Sequence, residues 1–246
     1  MGKDGAVRIS RRSLLAYAAI SLGALFSTYS YFETRRIDLT RLKIGFDTKA
    51  AFLIDMHIHG FGDVEEKVVD MVSKEQPEII LIGGDIVDEF TSSMKPVQEY
   101  LSLIEAEEKY VVLGNHDYWS GRSSELTSIL KSFGFRVLRN EVAETGLGTL
   151  LGVDWRDDRV YGNYGEADVV LAHDPNVVES CSGRRITLAG HTHGGVVVGG
   201  LTLLTNSHYT RGLYKLSEGK ILYVSRGLGQ MIPFRPTSPL ELVILE

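Results

Sequence analysis

Four consecutive residues, Ile79-Ile80-Leu81-Ile82, read as a strand with no polar face. A run of that kind is stable only when buried on both sides, which constrains the chain to a layered architecture. Ala51-Phe52-Leu53-Ile54 and Tyr110-Val111-Val112-Leu113 read the same way. Between them lie segments of helical spacing, 64–74 with Val64, Val68, Val69, Met71 and Val72 on its apolar side, and 97–106. A third helix is predicted over 124–133 with Ser124 as its N-cap. Helices then give way to short strands predicted at 136–138, 149–151, 169–171, 185–188, 201–204, 221–224 and 242–245. A βαβαβ start with a strand-rich second half predicts two sheets packed face to face with helices outside. The 246 residues suffice for one domain of ordinary size. The single Cys181 excludes an intramolecular disulfide and a cysteine-based zinc cage.

The nineteen residues from Leu14 to Phe32 carry no charge. As a helix they reach about 28 Å, close to the thickness of a bilayer core. Ser10-Arg11-Arg12-Ser13-Leu14-Leu15, directly before them, resembles the twin-arginine export signal. No clean small-x-small cleavage site follows, so the segment is expected to remain as an anchor. The alternative is a helix packed on the body. The expected organisation is therefore a leader, anchor and connector over 1–43 and a folded body over 44–246. Basic residues flank both ends of the apolar run, which leaves its orientation weakly determined. The extracytoplasmic side is the favoured placement and the cytoplasmic face the alternative.

Charge is divided unevenly along the chain. Residues 1–43 carry eight Lys or Arg against three acidic residues, and the remainder carries 18 basic against 29 acidic side chains. A body with a net charge of −11 offers no phosphate-tracking stripe, so no nucleic-acid-binding surface is expected. An anionic substrate would need another attraction, and bound cations supply one.

Six of the seven histidines directly follow predicted strands. They occur in Asp55-Met56-His57-Ile58-His59-Gly60, Gly114-Asn115-His116-Asp117, Ala172-His173-Asp174 and Gly190-His191-Thr192-His193. A further strand end carries Gly83-Gly84-Asp85-Ile86-Val87-Asp88. Asp55, Asp85 and Asn115 are spaced 30 residues apart, about one βαβ unit each. Ligands collect at the carboxyl ends of strands in open α/β sheets, so these groups are candidates for one cleft. Each fragment alone is a turn or cap signal. Together, their imidazoles and carboxylates would be costly to bury without cations.

This order of motifs resembles the calcineurin-like metallophosphoesterases over essentially residues 44–246. Gly190 to Gly195, Tyr223-Val224-Ser225-Arg226-Gly227-Leu228-Gly229, and the apolar leader with Glu33 and Leu42 resemble a membrane-linked branch. That branch contains UDP-2,3-diacylglucosamine pyrophosphatase-type enzymes and relatives with twin-arginine leaders. The resemblance implies an α/β (α+β) fold, a four-layer αββα sandwich of two mixed β-sheets. It implies that Asp55, His57 and His193 hold one metal, that Asn115, His173 and His191 hold a second, and that Asp85 bridges them. It further implies that His116 serves as acid or hydrogen-bond donor, oriented by Asp117, with Asp88 supporting the site from behind. A hydroxide bridging the metals would attack phosphorus. The mixed nitrogen and oxygen ligands suit manganese first, with iron or zinc as alternatives.

His59 departs from the family pattern, and Asp-x-His-x-His also resembles the opening of metal-dependent amidohydrolase barrels. A barrel needs eight βα units, which the second half does not supply. A metal-bound interaction module without catalysis is the other alternative, against which His116 stands. The expected partner is an anionic phosphate-containing small molecule or lipid, with the membrane contacted through residues 14–32. Tyr118-Trp119 and Met231-Ile232-Pro233-Phe234 are candidate lips for acyl chains, and rim packing explains them equally.

Overall fold

The computed structural model describes residues 10–181 and 186–246. Arg185, expected to open a strand, and the leader charges Lys3, Asp4 and Arg8 lie outside them. The chain runs α1 (Arg11–Glu33), β1 (Ile37–Leu42), β2 (Ala50–Leu53), α2 (Asp63–Glu75), β3 (Ile79–Ile82), α3 (Lys95–Ser102), β4 (Glu108–Val111), α4 (Asn115–Trp119) and α5 (Ser123–Ser132). It continues through β5 (Arg136–Val137), β6 (Glu141–Thr145), β7 (Gly148–Val153), β8 (Val169–Ala172), a 3₁₀ helix (Pro175–Ser180) and β9 (Ile186–Ala189). The last strands are β10 (Val196–Val198), β11 (Leu201–Leu204), β12 (Gly212–Lys215), β13 (Ile221–Val224) and β14 (Leu240–Leu245).

Two six-stranded sheets result, ordered β1-β14-β2-β3-β4-β5 and β12-β13-β9-β8-β7-β6. Both are mixed. In the first, β2 to β5 are parallel and β14 joins β2 antiparallel. In the second, the parallel strands β13-β9-β8-β7 are edged by antiparallel β12 and β6. The apolar runs explain the layering. Phe52, Ile79 and Leu81 turn one way, into an inter-sheet core with Leu150, Val169, Leu171 and Leu188. Their neighbours Leu53, Ile80 and Ile82 turn the other way, onto Val68 and Val72 of α2, Val97 and Leu101 of α3, and Leu126 and Leu130 of α5. Each such side chain contributes about 1.5–3 kcal/mol by leaving water. The outer face of the second sheet is covered more thinly, by Val177 and Val178 of the 3₁₀ helix and by loop tyrosines.

Several expectations need correction. The boundary at residue 43/44 falls behind a strand of the body, because β1 pairs in parallel with β14 from Ile37↔Leu240 to Leu42↔Leu245. Ser124 does not cap α5; the helix starts at Ser123, and the Ser124 carbonyl accepts the Ser128 hydroxyl. The helix predicted to reach residue 106 stops at Ser102, and β4 starts at Glu108, ahead of the expected Tyr110.

Helix α1 leaves the body with Leu14, Leu15, Ile20, Leu22 and Leu25 exposed, and only Ser30 and Glu33 buried. By length and composition it is, among the described residues, the one helix able to cross a membrane.

Candidate metal centre

The carboxyl ends of β2, β3, β4, β8 and β9 deliver Asp55, Asp85, Asn115, His173 and His191 to one place. Asp55, His57 and His193 form one group and Asp85, His173 and His191 a second. Within each group the donor atoms lie within 4.8 Å of one another. Asp85 stands between the groups, its Oδ2 3.2 Å from His173 Nε2 and 3.8 Å from His57 Nε2. Its other oxygen, Oδ1, accepts the His116 backbone N–H at 2.8 Å. Asn115 Oδ1 is 3.0 Å and His191 Nδ1 3.1 Å from His173 Nε2.

Close approach of these loops depends on backbone that most residues avoid. Asp55, His57, Asp85, His191 and His193 all have positive φ, between 44° and 70°. Non-glycine residues are uncommon there, and such conformations concentrate at functional sites where the surrounding fold enforces them. Gly84, at φ +95°, lets the Asp85 and Asn115 loops touch; a Cβ there would lie 2.4 Å from the Gly114 nitrogen.

The donor set fits cations. His57 Nδ1–H donates to Asp88 at 2.9 Å, which turns the lone pair of Nε2 inward. That Nε2 and His193 Nδ1 are buried with no hydrogen-bond partner among the described residues. His173 Nδ1–H donates to the Gly83 carbonyl at 3.1 Å, so its Nε2 lone pair faces a carboxylate oxygen, an amide oxygen and an imidazole nitrogen. The two oxygens repel that lone pair unless a cation or an added proton joins them.

The charges around His173 favour the added proton there. Burial opposes the charged form of His173, but Asp85 and Asp55 outweigh it and raise the imidazolium to about 9. Burial likewise opposes ionisation of Asp85, yet His173 and His57 hold its carboxyl well below the usual range. Asp55 is pushed up, mainly by burial and also by the charge on Asp85. Burial and the charge on His173 lower His191 to about 3, and burial with His57 lowers His193 well below an ordinary histidine. Neutral imidazoles beside ionised carboxylates are the state that metals bind.

Behind this cradle, His59 Nε2–H shares Asp88 with His57, at 2.8–2.9 Å. Burial opposes the Asp88 carboxylate, but hydrogen bonds from the two histidines hold it down at about 2. His59 therefore faces Asp88 in this geometry and belongs to neither donor group. His208, the histidine outside the motifs, pairs with Glu179 on the surface.

The expected orientation of His116 by Asp117 is not what the structure shows. The Asp117 carboxylate accepts backbone N–H groups of Asp85, Ile86, Val87 and Gly114 at 2.8–3.0 Å. It caps α4 and staples the Asp85 loop to it. His116 Nδ1 instead meets Glu89 Oε2 at 2.7 Å, and its ring packs edge-on to Trp119 at 5.1 Å.

Sequence reasoning also missed Trp155, Asn206 and Arg235. The Trp155 ring lies 5.1 Å from that of His191, and Asn206 Nδ2 lies 3.2 Å from His191 Nε2. Arg235 is buried, and its guanidinium donates to the carbonyls of His193, Arg226 and Gly229. Burial lowers it to about 10. A cleft of about 390 Å³ opens over Asp85, His116, His191 and His193, with Met231, Ile232 and Phe234 on its other side.

Comparison with known proteins agrees with this reading. A family model described as calcineurin-like phosphoesterase matches residues 49–201. An uncharacterized metallophosphoesterase of Aquifex aeolicus is 33% identical, over 93% of this chain and 97% of that protein. A transmembrane protein with metallophosphoesterase domain from Danio rerio is 28% identical, over 72% of this chain but 47% of its own length. An uncharacterized metallophosphoesterase of Campylobacter jejuni is 28% identical over 87% of this chain, which spans 62% of that protein. Among solved structures, the Pseudomonas putida nuclease MPE aligns at 17% identity with a TM-score of 0.44, covering 77% of this chain and 80% of that one. The motifs and the family match define a metal-dependent phosphoesterase. The chain belongs to the calcineurin-like phosphoesterase family.

Proposed function

We propose that the protein is a dinuclear-metal phosphohydrolase that cleaves a phosphoester or pyrophosphate bond in a membrane-borne amphiphile, resembling a UDP-diacylglucosamine-type lipid. The observation that carries this reading is the pair of donor groups with the Asp85 carboxylate standing between them, under His116. Asp55, His57 and His193 would hold one divalent cation, and Asn115, His173 and His191 the other, with Asp85 shared. Manganese suits this set first, then iron or zinc. When bound, the cations neutralise phosphoryl charge and make water a nucleophile at neutral pH.

The chain's own residues do the rest. Asp88 fixes the His57 tautomer, and the Gly83 carbonyl fixes that of His173. His116, on the rim and hydrogen-bonded to Glu89, would give a proton or hydrogen bond to the leaving oxygen. Met231, Ile232 and Phe234 supply an apolar wall for a lipid part. Helix α1 would anchor the protein, and Arg11-Arg12 ahead of it favours the extracytoplasmic side. The test is a hydrolysis screen of manganese-loaded protein against lipid pyrophosphates, nucleotide diphosphates and aryl phosphates. Preference for the lipid pyrophosphate is expected; hydrolysis of aryl phosphates alone would contradict the lipid assignment.

A further inference from the structure

Strands β10 and β11 form a two-stranded sheet separate from both large sheets. Val198, Leu201, Leu203 and Leu204 on it are 54–67% exposed. A lone hairpin is marginal in water, and one that displays this much hydrocarbon calls for a nonaqueous contact. No Asp, Glu, Lys or Arg occurs between Ile186 and Thr210. The hairpin base belongs to the metal cleft, since the paired residues Val196 and Leu204 both line it. Its Gly199-Gly200 tip is exposed, with nothing within 4 Å of where a Cβ would stand.

A second apolar element lies beside it. Ile232 and Phe234 are 68% and 50% exposed, and both line the same cleft. The Phe234 ring meets Phe26 of α1 at 6.0 Å, edge to face. The exposed hydrocarbon of the cleft rim is thus continuous with that of the one described helix long enough to span a bilayer. Arginines bound these surfaces: Arg35 and Arg36 follow α1, and Arg211 closes the uncharged run. Apolar elements ending in arginines and tyrosines (Tyr29 and Tyr31 here) match the boundary between hydrocarbon and headgroups.

We propose that the β10–β11 hairpin and the Ile232–Phe234 segment enter the bilayer surface that receives α1, so that the metal cleft opens at the lipid–water boundary. The substrate's lipid part then passes along Leu204 and Ile232 without leaving hydrocarbon, while its phosphate meets the donor groups. The proposal rests on the phosphohydrolase reading for what the cleft does, and on the exposed hydrocarbon alone for where it sits.

The test uses the full chain in phosphatidylcholine vesicles with brominated acyl chains. A fluorophore is placed at Leu203→Cys and, as a control on the opposite end of the sheets, at Glu105→Cys; the native Cys181 is buried. Strong quenching at position 203 and little at 105 is expected. Equal, weak quenching at both positions would overturn the proposal. So would a label at 203 that is shielded only because two copies cross-link through the hairpin. The variant Val198→Ser/Leu201→Ser/Leu203→Ser gives a second readout. Its turnover of a lipid phosphate in vesicles should fall by about tenfold or more, with turnover of a soluble aryl phosphate unchanged. Equal turnover of the vesicle substrate by variant and parent would also overturn it. Quenching as expected, from a protein that hydrolyses no phosphate, would leave the docking surface standing and remove the phosphohydrolase reading.

Discussion

At the scale of single residues, the proposed roles divide the site into side chains that would hold metal and side chains that would act on substrate. His116 contributes its backbone N–H to Asp85 and its ring to the rim. His116→Asn should therefore keep both metals by elemental analysis and lose activity by about 10²–10⁴-fold, the usual worth of a positioned acid or base. Glu89→Gln should act through His116, lowering kcat by about 10–100-fold with KM little changed. Its proximity to Asp88 was visible in the sequence, but nothing there separated it from the adjacent carboxylates. Asp117→Asn belongs to a different class. An amide has one oxygen where the carboxylate offers two to four backbone N–H groups, so this variant should lose about 1–3 kcal/mol of stability in denaturant unfolding. His59→Ala should leave the metals in place, because Asp88 keeps its bonds to His57 and to the Phe90 N–H.

At the scale of elements, apolar runs bounded by turn residues were legible whether the strand is buried, as at 79–82, or exposed, as at 201–204. The strands at 79–82, 201–204 and 221–224 were read to the residue, the first because four apolar side chains in a row leave little else to be. Strand β1 was passed over because Ile37-Asp38-Leu39-Thr40-Arg41-Leu42 is a half-exposed edge whose charges resemble a connector. Those charges fasten it. Burial works against ionisation of Asp38, but Arg36 and Arg226 more than offset it and hold the carboxyl below its ordinary value. A depressed folded-state pKa gives stability above the unfolded value, near pH 4, that disappears as pH falls through the depressed one. The thermal midpoint of Asp38→Asn should thus lie below that of the parent at neutral pH and converge on it in acid. The short helix α4 was also missed, although Gly114-x-x-Asp117 is a capping pattern.

At the scale of the molecule, the convergence of the strand-end motifs was legible because residue type and 30-residue spacing repeat with the βα units, and the fold brings those strand ends together. It could not show Trp155, Asn206 or Arg235, which lie in loops and reach the site through contacts between segments distant in sequence. Nor could it show positive φ at five of the donor residues, a property of loops held by their neighbours rather than of composition. The membrane reading also belongs here. Arg11-Arg12→Lys-Lys should block export if the leader uses the twin-arginine route, and protease added to intact cells should digest the body of the parent protein; protection until lysis would place it on the cytoplasmic face. The central claim is narrower, that one carboxylate joins two cations into a working site. Metal stoichiometry and turnover of Asp85→Asn test it most directly. The account predicts two metals per chain in the parent, fewer than two in the variant, and loss of hydrolysis with them. Two metals and unchanged turnover in Asp85→Asn would contradict it.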